Sequence, residues 1–290
     1  VSLGQAAFYA IGAYTAGLLA TRLRVAPAAA LLLAPLVSAA IAALIGVPLL
    51  RLRGHYLAFA TLAFQLIVIS VIHNLKSVTR GDIGLSGIPS LLPGGLDPND
   101  PLTFCFISWF ALAAVLVLSR NLVASRPGRA LRALATSEAG ASAAGVPVGR
   151  YKLQVFALAG AYAGLAGGIY AFFESFISPA SFPILLSVQF LVMAVVGGVG
   201  VVWGSVIGAV AITLLLQVLK DLSSRPGLDP HAPAILQYAV YALILILVML
   251  FLPDGLLPAL RRRLRARRNR ELDSSDASAN QAGGGVSSAR

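Results

Sequence analysis

The sequence predicts an all-α polytopic integral membrane protein with about eight hydrophobic segments, and three observations carry that prediction. Of the 290 residues, 58% are hydrophobic and 11% charged, against roughly 45–50% and 25% in an ordinary soluble domain. The charges are also segregated. Residues 1–21, 25–50, 54–75, 101–119, 153–173, 175–219 and 230–253 contain no Asp, Glu, Lys or Arg, and one ionised side chain at the bilayer centre costs roughly 2.5–3.5 kcal/mol on insertion scales. The runs also have the right length, because about 20 residues at 1.5 Å rise cross a 30 Å hydrocarbon core. Six runs fit one crossing each, and the run 175–219 holds two, parted at Gly197, Gly198, Gly200 and Gly204.

Taken in chain order, the first run begins at Val1 directly in apolar sequence, with no charged region ahead of it. A signal peptide is therefore not expected, and the opening reads as a truncated N-terminus with membrane sequence upstream. Ser2 and Gln5 precede Gly12 and Gly17 here, and Thr61, Gln65 and Ser70 punctuate the third run. A polar side chain at membrane depth must face protein or water. Gln5, Thr61, Gln65 and the later Gln189 are thus either interhelical hydrogen-bonding residues or the lining of a translocation path. His55 and His73 sit at the ends of the third run, interfacial and without a titratable neighbour in sequence for proton relay. The fourth run carries Cys105, the single cysteine, so no intrachain disulfide is possible. Three scattered histidines and one thiol leave no metal-ligand cluster.

In the later runs glycines recur at intervals of four, Gly160, Gly164 and Gly168 in one set and Gly200, Gly204 and Gly208 in the other. Each set is expected on one helical face, where small residues let backbones approach closely in lipid. The net charge of +11 does not describe a basic domain, because seven of the 22 basic residues lie between Arg261 and Arg270; no nucleic-acid partner is expected. Beyond them, residues 271–290 are rich in Ser, Ala and Gly and are expected to be disordered. The domains expected are therefore a transmembrane domain over 1–260 and a basic, then disordered, tail over 261–290.

Orientation follows from the arginines, since short cytoplasmic loops are enriched in Lys and Arg. The segment 120–152 carries Arg120, Arg126, Arg129, Arg132, Arg150 and Lys152 against one acid, Glu138, and is expected in the cytoplasm, as is the tail. Counting back, Arg51 and Arg53 fall inside and the loop from Lys76 to Asp100 outside. Arg22 and Arg24 then fall outside, against the same rule, which leaves the topology of the first segments open. Within 120–152, residues 129–144 favour helix, ended by Gly145 and Pro147. That short helix is either a solvated loop that holds the topology or a docking element for a cytoplasmic subunit.

Five stretches in order, "VSLGQAAFYAIGAYTAG", "LRLRGHYLAFATLAF", "GDIGLSGIP", "RPGRALRALATSEAGASAAGV" and "SPASFPILLSVQFLVMAVVGGVGVVWGSVIGA", resemble the landmarks of the branched-chain amino-acid ABC importer permeases, M-type subunit. The resemblance covers roughly residues 1–255. It implies that the segment from Arg129 to Val146, with Arg132, is the coupling loop that meets an ATPase, with Glu138 and Gly145 at the family's acidic and glycine positions. Ser142 stands where a second acid is common.

The resemblance further implies a permease in the inner membrane that lines half of a path for Leu, Ile and Val. Its partners would be a homologous permease, two cytoplasmic ATPases and an external substrate-binding protein that sets selectivity. No GxxxxGK[ST] sequence occurs in the chain, so it is expected to bind no cofactor itself, with ATP and Mg on the ATPase subunits. A permease for urea or short amides shares every landmark. A secondary transporter would normally carry an intramembrane acid, which none of the charge-free runs has. A membrane enzyme would need a catalytic constellation, and no Ser, His and acid arrangement, paired carboxylates or HExxH is found.

Overall fold

The computed structural model describes residues 2–52, 54–91, 101–198, 200, 202–223 and 243. The run expected at 230–253, Leu243 apart, and the tail at 261–290 lie outside the described residues, as does the boundary expected at 260. The chain divides into two compact units, Val1–Val188 and Gln189–Arg290.

The first unit contains α1 (Gln5–Thr21), α2 (Pro27–Leu49), α3 (His55–Asn74), α4 (Lys76–Thr79), α5 (Pro101–Ala124), α6 (Arg126–Thr136), α7 (Glu138–Ala143), α8 (Val148–Glu174) and the first turn of α9 (Ile184–Gly197). Among the described residues the one strand pairing joins β1 (Leu85–Ser86) to β2 (Phe176–Ile177), antiparallel, with Leu85 opposite Ile177. Apolar runs this long become helices because lipid offers no partner to a free N–H or C=O. Among the described residues five stretches are long and apolar enough to cross a membrane, Pro27–Leu49, His55–Asn74, Leu102–Ala124, Val148–Glu174 and Pro179–Gly197. The apolar α1, at 17 residues, is shorter.

A tight three-helix core forms around α1, whose Ala6, Ala7, Phe8, Ala10, Ala13 and Ala16 are fully buried. A helix with no polar face belongs in the middle of a bundle. On α2, Ala30, Ala34, Ser38, Ala42 and Gly46 recur every four residues and are all buried, whereas Leu32 and Leu44 on another face are 69% and 75% exposed. Small residues turned inward and leucines outward are the arrangement for helices in lipid, where burying leucine gains little but close backbone approach gains van der Waals contact. The glycines of α8 complete it. Gly160 faces Ala42 and the Ser38 carbonyl, Gly164 faces Ser38, Gly168 faces Leu31 and Ala34, and Gly167 turns to the Tyr9 backbone of α1.

One end of this unit is closed by the segment Gly81–Pro89. Gly81, Gly84 and Gly87 take φ of 57°, 77° and 76°, a left-handed conformation that costs other L-residues free energy. The turns fold Leu85 and Ile88 over Gly17 beside Ile177. They also bring Asp82 to His73, Nδ1 to Oδ1 at 2.6 Å, so His73 has a titratable neighbour that the linear spacing hid. The opposite end carries α6, α7 and the α2–α3 connection.

The second unit contains the rest of α9 and α10 (Val202–Ser223). A β-carbon on Gly204 would lie 2.6 Å from the Gly197 carbonyl oxygen, and one on Gly208 would lie 2.7 Å from the Gly197 nitrogen, so the two helices pack through Gly197, Gly204 and Gly208. Gly200 does not share that face. It stands in the connecting turn at φ 98°, with open space around a β-carbon, because left-handed Gly198 and Gly200 end one helix before the next begins.

Candidate functional site

Two polar constellations lie in the first unit. The deeper one surrounds the start of α1. The first N–H groups of a helix have no partner within it; here Ala6 N–H, in the first turn, donates to Ser187 Oγ of α9 at 3.0 Å, and Leu3 N–H, two residues ahead of the helix, donates to Thr61 Oγ1 of α3 at 2.9 Å. Ser187 donates in turn to Gln65 Oε1 at 2.7 Å, and Gln65 Nε2 reaches the Pro183 carbonyl at 3.3 Å. Thr61, Gln65 and Ser187 are all at most 2% exposed. Thr61 and Gln65, hydrogen-bonding or path-lining candidates by sequence, have defined protein partners here. Gln5 is half-buried at the mouth of a separate cleft. Gln189 belongs to the second unit and, two residues past Ser187, is set about 200° round α9 from it. Nearby, Ser38 Oγ donates to the Phe8 carbonyl at 3.0 Å, and Tyr14 Oη is buried with no hydrogen-bond partner among the described residues.

The second constellation is the polar segment after α5, which forms two helices where one was expected over 129–144. Ser137 breaks it. Its backbone is extended (φ −156°, ψ 116°), and its hydroxyl accepts from Gly140 N–H at 3.0 Å, so it caps α7 as α6 ends. Serine competes well for such a cap, and that preference outweighed the helix propensity of its alanine neighbours. Ser125 caps α6 in the same way, accepting from Gly128 N–H. At the far end Gly145, at φ 78°, forms a Schellman closure: its N–H donates to the Ser142 carbonyl and the Val146 N–H to the Ala141 carbonyl.

Charge holds this segment at two points. Arg132 Nη2 donates to the Val123 carbonyl near the end of α5 at 3.3 Å, and Lys152 Nζ meets Glu138 Oε1 at 2.6 Å. Lys152 on α8 is therefore a partner of Glu138, because the Gly145 turn folds the chain back. Arg129 is exposed. Leu131 and Leu134 point the other way, with Leu50, Leu57, Phe156 and Gln5, into a cleft of about 450 Å³. Between α5 and α8 a further apolar cleft of about 600 Å³ is lined by Tyr9, Cys105, Leu112 and Ile169. The two helices touch where Phe104 meets Phe173, ring centroids 5.1 Å apart, and where Ser119 Oγ donates to Tyr162 Oη at 3.1 Å.

Ser187, Ser38 and Lys152 escaped the sequence reading. Ser38 had a signal in the four-residue period of α2; Ser187 and Lys152 had none, since their partners are 122 and 14 residues away. No group of three His, Cys, Asp or Glu side chains that could hold a metal occurs among the described residues.

Comparison with known proteins adds the following. The family described as branched-chain amino acid transport system / permease component matches residues 1–249. The high-affinity branched-chain amino acid transport system permease protein LivM of Salmonella typhimurium is 33% identical over 91% of this chain and 65% of its own length, and that of Escherichia coli is 31% identical over the same shares. The chain thus spans 65% of the length of these relatives. The permease protein LivH of Salmonella typhimurium is 30% identical over 64% of this chain and 59% of its own. No solved structure matches the chain.

Proposed function

The chain belongs to the branched-chain amino acid transport permease family, and from that premise we propose that it is a permease subunit of an ATP-driven importer that moves branched-chain amino acids across the inner membrane. The observation that carries the reading is the α6–α7 pair: a capped, compact element with exposed arginines, set on long apolar helices and joined to them by defined contacts. An ATPase must push on something rigid to move a membrane helix. In this reading Arg129, Arg132, Glu138 and Gly145 form or shape the surface that meets one of two cytoplasmic ATPase subunits, which bind ATP and Mg. The segment 120–152 and the tail are cytoplasmic, in keeping with their arginines. A homologous permease supplies the other half of the path; the similarity of the chain to LivH as well as LivM supports such a pairing. An external binding protein delivers the substrate. Within the first unit Gln5 lines the path, with Thr61 and Gln65 in its wall; Gln189, in the second unit, is a separate lining candidate. ATP binding biases the helices between inward-open and outward-open packings through its differential affinity for the two.

The test is reconstitution of the full-length permease with its partner subunits in liposomes, followed by accumulation of labelled leucine, isoleucine and valine on addition of ATP. ATP-dependent accumulation that excess unlabelled leucine abolishes is the expected result. Accumulation of urea or a short amide in place of these amino acids would overturn the substrate assignment, and ATP-independent accumulation would overturn the importer class.

A further inference from the structure

The α6–α7 pair is attached to two helices that are themselves held very differently. On one side stands α8, locked against α1 and α2 by glycine contacts so close that a β-carbon on Gly167 would collide with the Tyr9 carbonyl. On the other stands α5, which parts from α8 around the 600 Å³ cleft and leaves Phe106, Trp109 and Phe110 more than 60% exposed. The attachments differ as well. To α5 the pair is joined directly, by the Ser125 cap, by Gly128 packed on the Leu122 and Val123 carbonyls, and by Arg132 on the Val123 carbonyl. To α8 it is joined by the Gly145–Pro147 connection and by the Glu138–Lys152 ion pair. The covalent route from α7 to α8 runs through Gly145 at φ 78°, with open space around it, a residue with a permissive backbone. The ion pair bypasses that turn: it links the first turn of α7 to the second turn of α8, and the Lys152 side chain is only 27% exposed.

We propose that Lys152 is a positioning residue for coupling, a strut that makes α7 move as one piece with α8 and thereby carries a push on the α6–α7 surface into the α1–α2–α8 core as well as into α5. The proposal rests on the reading of α6–α7 as the surface met by an ATPase. It gives Glu138 a role inside the permease as well as at the partner surface.

The experiment uses the reconstituted importer with Lys152→Gln, the charge-swapped pair Glu138→Lys with Lys152→Glu, and Arg129→Glu as the probe of the partner surface. Co-purification of the ATPase, ATP hydrolysis and leucine accumulated per ATP are measured for each. Lys152→Gln is expected to retain the ATPase and its basal hydrolysis while leucine moved per ATP falls by about five- to tenfold, within the range by which coupling residues act. The swapped pair is expected to recover most of that loss. Arg129→Glu is expected to lose the ATPase itself. An unchanged ratio in Lys152→Gln, with the ATPase bound, overturns the strut and leaves the partner surface standing. Loss of the ATPase in Lys152→Gln that the swap does not restore also overturns it, because the pair then belongs to the partner contact. Full ATPase retention and transport in Arg129→Glu overturns the underlying reading instead. Correct membrane insertion of each variant is checked by its elution as a monodisperse peak in detergent.

Discussion

Gly12 of α1 and Gly164 of α8 touch backbone to backbone: a β-carbon on Gly12 would lie 2.6 Å from the Gly164 carbonyl carbon. No side chain can rotate out of such a contact, so the helices themselves must part to admit one. Gly12→Ala is therefore expected to destabilise the permease by about 1–3 kcal/mol, the usual range for overpacking. Gly164→Leu, which drives into Ser38 and the Ala34 carbonyl, should lose folded protein altogether. Gly149, in the first turn of the same α8, has nothing within 4 Å of a β-carbon. Gly149→Ala should be neutral or stabilising by up to about 1 kcal/mol, through helix propensity. Thermal melting of the three variants in detergent checks this, and equal melting of Gly12→Ala and Gly149→Ala would refute the packing.

Ser187→Ala removes one hydroxyl and strands two buried groups, the Ala6 N–H and Gln65 Oε1. A buried group left without its partner costs about 1–3 kcal/mol, so a clear drop in melting temperature is expected. A water-lined site would give a different result, because water would replace the hydroxyl and the melt would hardly move. The same measurement on Thr61→Val, which strands the Leu3 N–H, gives an independent reading at the same helix start.

Tyr14 supplies the opposite case. Its hydroxyl is buried without a hydrogen-bond partner among the described residues, so it brings a desolvation cost and no compensating bond there. Tyr14→Phe is expected to melt at the same temperature or higher. A fall of several degrees would reveal a partner for the hydroxyl that the described residues do not include.

Sidedness can be read with two cysteines placed in a Cys105→Ser background, one at Ile83, 80% exposed at the clasped end, and one at Ala133 on exposed α6. An impermeant thiol reagent on intact cells is expected to label the first and spare the second until the cells are permeabilised. Labelling in the reverse order would invert the whole topology.

The helical class and the places of α1, α2, α3, α5 and α8 were legible in the sequence because charge exclusion from lipid leaves long uncharged runs whatever the tertiary contacts. Local chemistry was legible only in part. The arginine-rich segment is legible as one helix, from its alanine and leucine propensity, and not as the two that the Ser137 cap makes of it. Gly200 was assigned to a ridge by its spacing, although two left-handed glycines in one turn cannot belong to a helix. The partners of Gln65 and Glu138 were out of reach for a different reason. Ser187 and Lys152 meet them only after the chain has folded back, and a sequence read linearly contains no distance between them.

The start of α1 has a consequence for how the protein is made. The Leu3 N–H just ahead of it and the Ala6 N–H in its first turn are met by Thr61 and Ser187, 58 and 181 residues further along the chain. Ribosomes add about 5–20 residues per second, so the Ala6 N–H waits roughly ten to forty seconds for Ser187 to be synthesised. During that interval it must be shielded by water, headgroups or the insertion machinery. α1 therefore enters the bilayer as an unfinished helix, and the arrival of α9 completes it. A chain stalled before residue 187 should leave α1 accessible to hydrogen exchange at its first turn, whereas release of a few more residues should close it.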